Sequence, residues 1–171
     1  NSLLVYLRGD STMSILKVDT LQPATGARVL SAGHIVQVVN SLKTPTSITT
    51  TSNSFTATGH SVSITPTSSS SKVLLMVNGG GHYLPTVAQM AVVTIYRDST
   101  NIGDATHGLE SAYTTSGSDF SINPHSISIV DSPSTTSAIT YQTYMKTAAG
   151  TFQYHLTDRG SINFVAMEIA Q

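Results

Sequence analysis

Ser61-Val62-Ser63-Ile64-Thr65-Pro66, the turn Thr67-Ser68-Ser69-Ser70-Ser71, and Lys72-Val73-Leu74-Leu75-Met76-Val77-Asn78 together decide the fold class. In the first segment strict alternation puts Val62 and Ile64 on one face and three hydroxyls on the other, the pattern of a half-buried strand. The third segment is an unbroken apolar run bounded by polar residues, which predicts a central strand buried on both faces. The serines between them form a turn, because Ser side chains bond their own backbone and compete with regular structure.

Working outward, the same grammar repeats. Ile35-Val36-Gln37-Val38-Val39 is a compact strand signal, and Thr44 to Thr51 follows as a Thr-rich stretch that Pro45 confines to an edge or entry position. Gly79-Gly80-Gly81 breaks the apolar run as a bulge or loop, and Met90 to Tyr96 resumes it. Arg97 to Gly103 reads as a hairpin turn with a short return, and Leu109 to Tyr113 as a short strand. His125 to Asp131 alternates cleanly. Beyond the turn at Ser132-Pro133-Ser134, Ile139, Tyr141, Thr143 and Met145 share one face. Phe152 to Leu156 and Ile162 to Ile169 complete about eight to ten short strands with no helix among them, which predicts an all-β antiparallel sandwich or jelly roll. Residues 13–33 show neither periodicity, so residues 1–33 are expected to be an extended attachment arm and 34–171 the β-domain.

Composition supports strands and excludes several functions. The chain of 171 residues has 25 Ser and 25 Thr but only 10% charged residues. Thr favours strands and Ser favours turns, whereas the residues that build helical surfaces are sparse. A formal charge of −1 and the lack of any Lys/Arg run supply no field for nucleic acid or an anionic membrane. There is no cysteine, so disulfides and thiolate metal sites are excluded, and association with copies of itself is the natural substitute stabiliser. Asn1 to Asp10 has no basic opening and too short an apolar run for a signal peptide or membrane span. Met13 reads as a natural start, with the first twelve residues an upstream extension, a fragment boundary or a cloning remnant. Arg8-Gly9-Asp10 spells the integrin-ligand tripeptide, a match that three residues produce readily by chance.

No catalytic constellation is legible. The six histidines stand singly, without the His-x-His or His-x-x-x-His pairs that put two ligands on one face, so no metal site and no cofactor are expected. Gly-x-Ser-x-Gly is absent, and Gly79-Gly80-Gly81 lacks the Lys-Ser/Thr and helix of a phosphate loop. The residues best suited to binding are His82, Tyr83, Tyr113 and Phe120. They are aromatic or ring side chains in expected loops among Ser, Thr and Asn, as a surface that stacks on sugar rings requires.

Met13-Ser14-Ile15-Leu16-Lys17-Val18-Asp19-Thr20-Leu21-Gln22, followed by Ala24-Thr25-Gly26, resembles the opening of tail-fibre-like and other virion proteins of phages. Val36 to Val39, Ser61 to Pro66, Ser69 to Leu74, Tyr96 to Gly103, Asp131-Ser132-Pro133 and Met167-Glu168-Ile169 are similar to recurring blocks of those proteins. The resemblance implies a non-enzymatic component on the exterior of a phage particle. It would be a homotrimeric tail or head fibre whose N-terminal arm docks to other virion proteins and whose knob touches a host surface glycan. The alternatives are a capsid decoration protein and a stand-alone carbohydrate-binding sandwich.

Overall fold

The computed structural model describes residues 32–85, 90–115 and 122–171. The expected arm, with its Met13 opening and Arg8-Gly9-Asp10, lies outside these residues apart from its last two. Gly33 and His34 are already tied to the far end of the chain, through Gly33 N donating to Ala170 O and Ala170 N donating to His34 O.

Eleven strands and no helix make up the described residues: β1 (Ile35–Lys43), β2 (Ile48–Thr50), β3 (Thr56–Ile64), β4 (Lys72–Tyr83), β5 (Met90–Arg97), β6 (Thr100–Asn101), β7 (Glu110–Tyr113), β8 (Ile122–Asp131), β9 (Ile139–Thr147), β10 (Phe152–His155) and β11 (Ile162–Ile169). All pairings are antiparallel. One sheet runs β1-β11-β4-β8 and is extended past β4 by β10 and β2; the other runs β3-β9-β5, with β6 and β7 on the free side of β5. The two sheets pack face to face as a sandwich, the architecture expected from the alternating patterns.

Alternation decides the core. Val62 and Ile64 from β3 are buried, as are Ile139, Tyr141, Thr143 and Met145 from β9, and they face Val73, Leu75 and Val77 from β4 and Phe164 and Ala166 from β11. The apolar run of β4 differs from expectation. The strand is central, between β11 and β8, but only its odd-numbered side chains are buried up to Val77; Leu74 and Met76 are half-buried on the outer face. Nor do the three glycines end the strand, which continues through them to Tyr83.

Candidate functional site

The glycines re-aim the end of β4. Gly79 lies opposite His125 and His82 opposite Asn123, so three steps along β4 match two along β8, a one-residue bulge. Gly79 (φ 96°) and Gly80 (φ 62°) adopt the left-handed backbone that only glycine takes without strain. Because side chains alternate with period two, the extra residue reverses the phase. Val73, Leu75 and Val77 point inward before the bulge and His82 points inward after it. Opposite the bulge stands Pro124, between the paired residues Asn123 and His125, which has no N–H to give to the ladder.

Three chemically active side chains thereby converge between the sheets. His125 Nε2 lies 2.8 Å from the carbonyl oxygen of Tyr154, and its Nδ1 lies 3.0 Å from Glu110 Oε2. His82 Nδ1 lies 3.1 Å from the other carboxylate oxygen, Glu110 Oε1, but too far off line for a directed hydrogen bond, and His82 Nε2 has no partner among the described residues. The side chains of His125, His82 and Glu110 are 0%, 5% and 17% exposed. His82 packs against His125, with ring centroids 5.2 Å apart, and edge-on to Phe152 at 6.0 Å. Burial pushes the Glu110 carboxyl up, but the two imidazoles outweigh it and bring the group down to about 2.

The seam continues through the core. Tyr154 packs its ring against His125 at 4.4 Å and places its hydroxyl 3.3 Å from His60 Nδ1. His60 Nε2 reaches the Ser41 carbonyl at 3.0 Å. Burial lowers the His60 pKa, in keeping with a neutral ring that accepts from Tyr154 and donates to Ser41. His155 Nε2 reaches the Gly160 carbonyl at 2.9 Å, while its buried Nδ1 has no partner among the described residues. Four of the six histidines are therefore interior.

The residues expected to form a binding surface are not gathered into one. His82, placed in an exposed loop by sequence, is buried in a strand. Tyr83 is half-buried at the end of β4, and Tyr113, 61% exposed, ends β7 in the other sheet. Phe120 lies outside the described residues. A different aromatic group occupies the outer face of the β3-β9-β5 sheet. Tyr96 and Tyr144 stack at 4.0 Å, Phe55 meets Tyr96 edge-on at 6.1 Å, and Lys146 Nζ sits 4.4 Å over the Phe55 ring. Beside it, Asn53, Met90, Val92, Thr106, Lys146 and Thr147 line an open depression of about 250 Å³. The signal for this group was the polar phase of β9, which carries Tyr144 between core positions.

The outer face of the other sheet carries an apolar row. Val38, Met167, Leu74 and Val130 lie in register across β1, β11, β4 and β8. Val165 and Met76 pair in the next row. Val38 is 55%, Leu42 61% and Val130 50% exposed.

No family model and no curated protein sequence matches the chain. Among solved structures it is similar to the infectious bursal disease virus VP2 subviral particle, at 13% identity, 91% of this chain, 37% of that chain and a TM-score of 0.44. It is similar also to the T=1 particles derived from that virus, at 12%, 91%, 41% and 0.44, and to the T13 viral particle, at 13%, 91%, 40% and 0.43. The chain thus spans about two fifths of the length of these proteins.

Proposed function

We propose that this chain is a non-enzymatic structural component of a phage virion, a fibre or head knob that assembles as a homotrimer through the outer face of the β1-β11-β4-β8 sheet. The observation that carries the reading is the row Val38, Met167, Leu74, Val130. It is an apolar band crossing four strands of a protein whose remaining surface is rich in hydroxyls. An exposed apolar band of that kind marks an interaction surface. A cysteine-free domain gains from covering it with copies of itself, each burying the same patch. The sequence resemblance to tail-fibre-like proteins supplies the particle. In this reading residues 1–33 dock to other virion proteins, and Tyr113 at the end of β7 and the Tyr96–Tyr144 face are free to meet a host glycan.

Light scattering on the 18.0 kDa chain tests the assembly. The parent is expected to be a trimer at micromolar concentration. Val38→Lys with Val130→Lys, both on the solvent side, is expected to give a folded monomer. A monomeric parent, or a trimer that survives both lysines, refutes the reading. Electron microscopy of the particle separates a fibre knob from a capsid decoration protein by whether the chain stands off the shell or lies on it.

A further inference from the structure

We propose that His82, Glu110 and His125 form a binding site for a divalent transition-metal ion of the zinc type. The inference stands apart from the assembly proposal, since the three residues lie between the sheets and not on the outer face.

The argument begins with a tautomer. A carbonyl oxygen only accepts, so the 2.8 Å contact with the Tyr154 carbonyl puts the proton of His125 on Nε2. In the neutral ring Nδ1 then carries a lone pair, and that lone pair faces a carboxylate oxygen 3.0 Å away. Two acceptors at that distance require a proton or a metal cation between them. On the other oxygen of the same carboxylate, His82 Nδ1 stands at 3.1 Å with no directed hydrogen bond, and neither of its ring nitrogens has a partner among the described residues. A proton on His125 Nδ1 closes the first contact but leaves His82 with both ring nitrogens unpartnered among the described residues. One cation bound by both imidazoles and the carboxylate satisfies both contacts.

The geometry fits. The three ligand atoms lie within 4.8 Å of one another. Ligands each about 2.0–2.1 Å from a tetrahedral zinc stand roughly 3.3 Å apart, and each imidazole nitrogen lies 3.0–3.1 Å from a carboxylate oxygen, His125 Nδ1 from Oε2 and His82 Nδ1 from Oε1. The backbone carbonyl behind His125 is the outer-sphere acceptor that usually orients a metal-bound imidazole. Two nitrogens and one oxygen suit zinc, cobalt or nickel, whereas calcium and magnesium call for oxygen ligands throughout. The ligands come from β4, β7 and β8, so their positions are held by sheet ladders, and the 17% exposure of Glu110 gives an ion a route in. Three protein ligands leave a fourth position for water. His107 and Asp104, 3.4 Å apart, are exposed and lack a third partner of this kind among the described residues, which makes them a suitable control.

The test uses the full, tag-free chain after chelation, titrated with Zn²⁺ by calorimetry and with Co²⁺ by visible absorption. One ion per chain is expected, with a four-coordinate Co²⁺ band. At a hundredfold excess over Kd the unfolding midpoint should rise by roughly 5–10 °C. Glu110→Gln and His82→Asn are each expected to weaken binding at least a hundredfold, and His107→Asn to leave it unchanged. Circular dichroism establishes which variants fold, and either ligand variant suffices. Absence of saturable binding by the parent below roughly a millimolar overturns the proposal, as does unweakened binding in a folded Glu110→Gln or His82→Asn variant.

Discussion

Replacing Glu168 tests how a carboxylate comes to occupy a hydrocarbon position. Its neighbours on the inward row of β11, Ile162, Phe164 and Ala166, are fully buried, and Glu168 itself is 0% exposed. Its oxygens accept from Gln37 Nε2 at 2.6 Å, and from Thr67 N and Thr67 Oγ1 at 2.7 Å each, so the carboxylate pins the β3–β4 turn to β11. Hydrogen bonds to a charged acceptor contribute about 1.5–3 kcal/mol each. Thr67 is exposed, so water replaces part of what is lost there. Glu168→Ala is therefore expected to cost about 2–3 kcal/mol. Glu168→Gln, which keeps the volume and one acceptor oxygen but sets an amide N–H₂ against a donor, should cost about 1–2 kcal/mol.

The pH dependence has a definite sign. Burial raises the Glu168 carboxyl pKa, but the bonds from Gln37, Ser71 and Thr67 outweigh it and the net shift is downward. A depressed folded pKa gives stability that is complete above the unfolded value of about 4.3 and is lost as pH falls through the folded value. Urea unfolding of parent and Glu168→Gln should show a constant gap from pH 5 to 8 that narrows below about pH 4.3. A gap that persists unchanged well below the carboxylate range, or an equal loss of under about 0.5 kcal/mol in both variants, refutes the account.

Two further substitutions probe the bulge and the seam. Gly79→Ala and Gly59→Ala both force alanine to a positive φ, but a Cβ at Gly79 would stand 2.6 Å from the Ser161 carbonyl oxygen, while nothing lies within 4 Å at Gly59. Chemical denaturation should show a loss of about 1 kcal/mol at Gly59 and about 2–3 kcal/mol at Gly79; equal losses would mean that the close approach carries no cost. Tyr154→Phe removes the hydroxyl 3.3 Å from His60 Nδ1 and leaves that buried nitrogen unpaired, at a cost of about 1–2 kcal/mol in the same assay. An unchanged midpoint would mean that the contact is not made.

Residue chemistry alone determined the local facts. Period-two alternation assigned the inward faces of β3 and β9, where Val62, Ile64, Tyr141 and Met145 are buried as their positions require. Scarcity of helix formers and abundance of Thr and Ser yielded an all-strand chain. These readings succeed because side-chain direction in a strand depends only on its immediate neighbours. Tertiary structure decided what depends on pairing across the chain. β4 is central, yet one of its faces stays uncovered by its own chain among the described residues, which no apolar run reveals by itself. The phase of His82 is set by a bulge whose existence requires β8 opposite it. His82, Glu110 and His125 lie 28 and 15 residues apart in sequence and touch only because three strands from two sheets meet there. Single histidines without paired spacing were uninformative for that reason: the coordinates of a site built between sheets reside in the register of the ladders, and register is a property of the whole fold.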